Sequence, residues 1–170
     1  MLELNLDFHP LIIHFPIALL IVGVICDAIG IVGKRDLFLS IGFLLFGLGA
    51  LTTIPAALTG DHVADTAQHI PGIAHDLDWH DTLGTATALL AVILTLMRTH
   101  FTLKKQFTGI VQYVYLMFAI GVAILVGASG YTGGRLVYDF GAGTHPVIKT
   151  LKIQPETPTR LPRSDTFQSQ

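Results

Sequence analysis

The stretch that decides the fold runs from Leu11 to Gly33 and reads LIIHFPIALLIVGVICDAIGIVG. It is apolar apart from a few interruptions, which are His14, Pro16, Cys26 and Asp27. Because an α-helix rises about 1.5 Å per residue, about 20 residues cross a hydrocarbon core of about 30 Å. The segment is therefore predicted to be a membrane-spanning helix.

Three further apolar segments follow, so that the predicted spans cover residues 11–33, 37–59, 81–99 and 109–134. Arg98, near the end of the third, is expected to extend its charged group outward to the membrane surface. Of the 170 residues 51% are apolar and 13% are charged, whereas water-soluble domains carry about 25% charged residues. The predicted fold class is an all-α integral membrane protein, an antiparallel bundle of four transmembrane helices. The bundle is assigned to residues 1–146, and residues 147–170 are expected to form an extended, partly disordered tail.

The connections between the spans predict their orientation. Lys34 and Arg35 join spans one and two, Lys104 and Lys105 join spans three and four, and residues 60–81 contain no Lys or Arg. Since positively charged short loops stay on the cytoplasmic side, both termini are expected outside. This orientation places seven of the eight histidines at or beyond the outer ends of the helices, namely His9, His14, His62, His69, His75, His80 and His145.

Charge and cysteine content exclude several classes of function. A formal net charge of −2 offers no basic surface for nucleic acid. The single cysteine, Cys26, supports no internal disulfide and no multi-cysteine metal site. No nucleophile elbow, phosphate-binding loop or dinucleotide motif occurs, so the sequence leaves open whether the protein is an enzyme.

Two histidines lie where lipid begins. His14 is about one turn inside span one, where an imidazole needs a metal, a carboxylate or a backbone carbonyl as partner. His80 opens span three above a strip of small side chains formed by Gly84, Thr87 and Ala91. Such a strip either admits a flat group or serves close helix packing, and both interpretations stay open.

The end of span four carries Gly127, Gly130 and Gly134 on nearly one face, followed by Arg135 and Tyr138. The glycines either make room for a group or pack against another helix. Arg135 is expected to pair with a porphyrin propionate, a lipid phosphate or a loop aspartate. An interfacial Arg with a neighbouring Tyr is the alternative interpretation.

Two further acidic features are ambiguous. Residues 61–81 combine several histidines and aspartates, a ligand set for zinc, copper or iron, although their spacing matches no established motif. A solvated acidic loop is the alternative. Asp27 is an intramembrane carboxylate, for which we expect a structural pair with Lys34 or Arg35, or a protonated carboxyl, rather than a proton relay.

Four motifs carry a resemblance: HPLIIHFPIAL at residues 9–19, PAALTG at 55–60, His80, and GGRLVY at 133–138. Together they resemble the bacterial membrane family known as domain of unknown function 2231, over about residues 8–146. The resemblance implies four helices in a bacterial inner or thylakoid-like membrane. Some members are joined to c-type cytochrome or Rieske domains, which implies redox work in the membrane.

These observations predict a haem b-binding, cytochrome b-like membrane subunit that transfers one electron near the periplasmic or lumenal face, within a larger redox complex. His14 and His80 are the predicted axial ligands, because six-coordinate haem b needs two imidazoles. Gly84 and Gly130 would make room for the ring, and Arg135 or Tyr138 would hold the propionates. The alternative iron ligands are His9, His62 and His75.

The expected partners are membrane lipid and other membrane or redox subunits, with quinone as a candidate ligand. Two other functions remain open. One is a cofactor-free accessory subunit of a membrane complex. The other is a divalent-metal protein that binds zinc or copper in the outer loop.

Overall fold

The computed structural model describes residues 9–142, which form four α-helices. They are α1 His9–Val32, α2 Asp36–Ala67, α3 Ala74–Leu103 and α4 Ile110–Tyr138. Each is long and apolar enough to cross a membrane, and no strand occurs within residues 9–142. The predicted all-α, four-span architecture is confirmed. The proposed tail, residues 147–170, lies outside the described residues.

The helices pack in a square in chain order. Each helix contacts the next along the chain and α1 also contacts α4, so α1 and α3 lie diagonally opposite and run in the same direction. We call the end that holds His9 and His80 the histidine end, and the end that holds Arg98 the arginine end. The turns from α1 to α2 and from α3 to α4 lie at the arginine end. Which end faces the cytoplasm stays a prediction.

Two helices extend well beyond the apolar runs that predicted them. α2 continues from residue 59 to Ala67, and α3 begins at Ala74 rather than near residue 81. The expectation of a long polar loop over residues 60–81 is therefore wrong, since only residues 68–73 connect the two helices. Ala67 and Ile73 are buried in a small cluster with Leu136 of α4. This packing supports helix beyond the point where the apolar sequence ends.

Glycines bring α1 and α2 close together. A Cβ added at Gly23 would lie 2.8 Å from the backbone nitrogen of Phe46, and one added at Gly49 would lie 2.9 Å from Cγ of Leu20. Small residues allow such approach between membrane helices, where packing rather than the hydrophobic effect drives association.

Near the histidine end, the bundle has a band that contains no fully buried side chain among the described residues. The main core lies toward the middle and the arginine end, and the smaller cluster closes the histidine end. Between them, no described side chain is buried in residues 9–15, 54–64, 77–86 or 127–135. A core-facing helix normally buries about three residues in two turns. In this band, about 15 Å deep along α3, the described side chains are half-buried or exposed.

Candidate functional site

His80 leans from α3 onto α4. Its Nδ1 lies 3.1 Å from the carbonyl oxygen of Ser129 and 3.2 Å from Oγ1 of Thr132. Because a carbonyl oxygen can only accept, Nδ1 carries the hydrogen. The half-buried imidazole lies against Gly133, where an added Cβ would be 3.0 Å from Cε1. In the neutral ring, the lone pair is then on Nε2.

His9 makes a similar contact between α1 and α2. Its Nδ1 lies 3.0 Å from Oγ1 of Thr59. The Thr59 hydroxyl lies within donating distance of the carbonyls of Pro55 and Ala56, at 2.9 and 3.0 Å. With its proton directed there, the hydroxyl oxygen accepts from His9. The ring lies against Gly60, where an added Cβ would be 3.2 Å from Cε1.

Of the other predicted cofactor residues, Gly84 faces the residue that His80 contacts, whereas His14 lies on a different helix. His14 is exposed on α1, and α1 lies diagonally opposite the helix that carries His80. Gly84 faces Ser129, at 3.9 Å from its Oγ to an added Cβ. Gly130 is exposed, with no atom within 4 Å of an added Cβ. The packing of the helices therefore does not by itself bring His14 and His80 together.

Arg135 is held by two carboxylates at the histidine end. Nη1 lies 2.7 Å from Oδ1 of Asp76 in the first turn of α3, and Nε lies 3.1 Å from Oδ2 of Asp139. The sequence predicted that Arg135 pairs with an anionic group. The structure shows a pair with an aspartate of the segment between spans two and three, which is Asp76. Tyr138, at the end of α4, is 90% exposed.

The histidine-rich connection does not form a cluster in the described residues. His69 and His75 are exposed, and His75 contacts Trp79 edge to face with ring centroids 6.4 Å apart. Residue 62 belongs to α2, but its side chain lies outside the described part of the structure. Where side chains are described, no three His, Cys, Asp or Glu residues stand close enough to hold a metal ion. A zinc or copper site here stays a prediction.

A buried charge network lies at the arginine end. Arg98 pairs through Nη1 with Oδ2 of Asp27, and these side chains are 2% and 0% exposed. Nη1 also donates to the Tyr115 hydroxyl at 3.0 Å, and Nη2 donates to the Leu39 carbonyl at 2.7 Å. Tyr115 donates to Oδ2 of Asp27 at 2.9 Å. One polar network thus joins all four helices.

The structural pair expected for Asp27 is present, but its partner is Arg98 rather than Lys34 or Arg35. The prediction that Arg98 extends to the membrane surface is wrong. An unpaired charge in lipid costs several kcal/mol, so these two intramembrane charges neutralise each other inside the bundle. Each lies five residues before the end of its helix, Val32 or Leu103, a match that becomes visible only once the helix ends are known.

Three aromatic rings enclose the Arg98 guanidinium, with Cζ 5.2, 4.9 and 4.8 Å from the centroids of Phe43, Phe107 and Tyr115. On the other side, Oδ1 of Asp27 makes no hydrogen bond to any described residue and lies against Gly42. A cation over aromatic faces is stabilised further where water is excluded. The network is closed and stabilises the bundle.

An apolar pocket of about 180 Å³ lies beside this network, between α3 and α4. Leu94, Phe101 and Phe118 contribute to its walls. Arg98 and Tyr115 also line it, but their polar atoms are already hydrogen-bonded within the network. The pocket therefore suits an apolar group.

Four membrane-length helices tied by an intramembrane ion pair define a multi-pass helical membrane protein. The family described as "Predicted membrane protein (DUF2231)" matches residues 5–146, and the chain belongs to this family. The resemblance seen in the sequence motifs is confirmed. No curated protein and no solved structure matches the chain.

Proposed function

We propose that the chain binds haem b at its histidine end and transfers single electrons as a subunit of a larger membrane assembly. The observation that carries this proposal is the contact between Nδ1 of His80 and the carbonyl oxygen of Ser129, at 3.1 Å. Metal-binding histidines commonly donate the other ring hydrogen to a carbonyl in this way, which fixes the tautomer and the ring orientation.

The surroundings of His80 fit such a group. The half-buried imidazole lies in the band without fully buried side chains, beside a glycine that leaves space at its edge. A half-buried site near the end of a bundle limits water while leaving a path for electrons to a partner. Six-coordinate haem needs a second axial ligand, for which the sequence proposes His14, with His9, His62 and His75 as alternatives.

Haem, when bound, supplies a one-electron couple whose potential depends on its axial ligands and on the local dielectric. The chain's own residues would fix these conditions. Ser129 and Thr132 hold the His80 ring, and Arg135, paired with Asp76 and Asp139, lies near the end of α4 with Tyr138. No bond-making residue is needed, because electron transfer alone requires positioning and insulation. Quinone, as a partner in this transfer, stays a prediction.

A visible spectrum tests the proposal. The full chain is purified in detergent after expression with a haem precursor supplied, and reduced-minus-oxidised spectra are recorded. We expect sharp α and Soret bands in the wild type and their loss or conversion in His80→Ala. The matched control is His69→Ala, since His69 is also a histidine of the histidine end but is exposed in the connection after α2. A wild-type protein with no haem bands contradicts the proposal.

A cofactor-free accessory subunit is the second candidate, favoured by the open face of α4. Gly127 and Gly130 are exposed, and no atom lies within 4 Å of a Cβ added at either. Such faces allow another membrane helix to approach closely. If Gly127→Leu and Gly130→Leu release co-purifying subunits while the wild type lacks haem, the accessory function replaces the first. Elemental analysis of the same samples tests zinc or copper binding.

A further inference from the structure

The two helical hairpins, α1–α2 and α3–α4, share one plan. Asp27 and Arg98 are 71 residues apart, and the same separation relates His9 to His80 and the helix ends Val32 and Leu103. It also relates the residues Lys34 and Lys105, which both adopt left-handed backbone conformations, with φ of 52° and 55°. Non-glycine residues seldom adopt this conformation, so its recurrence at one separation marks an internal repeat.

The turns after α1 and α3 begin with the same backbone hydrogen bond. The amide of Arg35 donates to the carbonyl of Gly30 at 2.9 Å, and the amide of Gln106 donates to that of Phe101 at 2.8 Å. Since α1 and α3 also run parallel on opposite corners of the square, the two hairpins are related by a pseudo-two-fold axis along the bundle. Parallel repeats about such an axis are known in membrane proteins.

The contacts of His9 and His80 are related by the same pseudo-two-fold axis. His9 bonds Thr59 at 3.0 Å, 50 residues on, and His80 bonds Thr132 at 3.2 Å, 52 residues on. Each threonine hydroxyl contacts, at 3.0 Å, the carbonyl three residues before it. Each is followed by a glycine against which the imidazole lies. The two imidazoles are therefore held at equivalent positions on opposite sides of the axis.

Equivalent positions of α1 and α3 do converge on the axis, because Asp27 and Arg98 meet there. At the histidine end no described side chain of the corresponding segments, residues 9–15 and 77–86, is fully buried. His14 has no histidine at the equivalent position of the repeat, since the residue 71 positions later is Thr85. Two axial ligands lie on opposite faces of a porphyrin, which is the relation that a two-fold axis generates.

We infer that His9 and His80 form one ligand site across the pseudo-two-fold axis, with His9 rather than His14 as the second axial ligand. This inference rests on the proposed function, because it assigns the second ligand of the same haem.

Ligand-replacement variants test the assignment by spin state and reduction potential. His9→Ala and His80→Ala are each expected to convert six-coordinate, low-spin iron to a high-spin form, and His14→Ala is expected to leave it low-spin. His9→Met keeps a side chain that binds iron and is expected to stay low-spin with a raised reduction potential. This variant keeps the test decisive if His9→Ala fails to fold.

Two results overturn the inference. One is loss of low-spin iron in His14→Ala with its retention in His9→Ala, and the other is an unchanged potential in His9→Met. Either leaves haem binding intact. Failure of the proposed function is seen separately, as a wild-type protein without haem.

Discussion

Asp27 of α1 and Arg98 of α3 form an ion pair in the bundle interior, with 0% and 2% of their side chains exposed. The pair joins helices that lie diagonally opposite, and Tyr115 and the Leu39 carbonyl add α4 and α2 to the same network. The two charges occupy equivalent positions of the internal repeat but have opposite signs. This difference lets the two hairpins recognise each other.

Removal of one partner of this pair should destabilise the bundle strongly. Arg98→Met leaves the Asp27 carboxylate buried without its charge partner, which typically costs about 3–5 kcal/mol. The double variant Asp27→Leu/Arg98→Met leaves no buried charge, so its free energy of unfolding should fall by less than that of the single variant. Reversible unfolding in mixed detergent measures both. A single variant as stable as the double variant would show that the Asp27 carboxylate carries no penalty when it is buried without its partner.

Gly42→Ala should destabilise the bundle, because an added Cβ would overlap the Asp27 carboxylate. Overpacking of this kind costs about 1–3 kcal/mol. Gly121→Ala is the matched control, since Gly121 is also helical but has no atom within 4 Å of an added Cβ. Helix propensity alone predicts that the unfolding free energy of the control variant rises by up to about 1 kcal/mol. Equal unfolding free energies for the two variants would contradict the close approach of Gly42 to Asp27.

Gly133→Ala should disturb the His80 ring, because the new Cβ would lie 3.0 Å from Cε1. We expect a shifted haem spectrum or reduced haem retention. Gly134→Ala should behave as the wild type, since nothing lies within 4 Å of a Cβ there. Spectra of both proteins at matched thermal stability make the comparison. Identical haem spectra for Gly133→Ala and the wild type would contradict the contact as a determinant of the site.

Labelling of introduced cysteines tests the predicted orientation. In a chain with Cys26→Ser, a cysteine at Gln68 should react with an impermeant thiol reagent from outside, and one at Gln106 should not. Both positions are exposed and lie at opposite ends of the bundle. Labelling at Gln106 alone would place the histidine end on the cytoplasmic side and contradict the prediction from loop charge.

Hydropathy was sufficient to predict four spans, because lipid demands long apolar helices whatever their contacts. It could not locate the ends of α2 and α3, since helix continues past Gly60 through a polar sequence as far as Ala67, which packs with Ile73 and Leu136. The partner of Asp27 was also missed, because pairing across the square depends on which corner each helix occupies. The Thr59-Gly60 and Thr132-Gly133 dipeptides are a sequence signal of the repeat. A match of two residues is too short to predict a repeat unless the backbone conformation repeats as well.

The haem content per chain of the wild type and two histidine variants tests whether the protein binds haem through His80. The wild type, His80→Ala and His100→Ala are expressed with haem precursor and purified in parallel, and their haem and protein are quantified. His100 is exposed near the arginine end of the same helix as His80. The account predicts low-spin haem bound by the wild type and by His100→Ala, and its loss or conversion to high spin in His80→Ala. The same low-spin haem content in all three proteins, or none in the wild type, would contradict it.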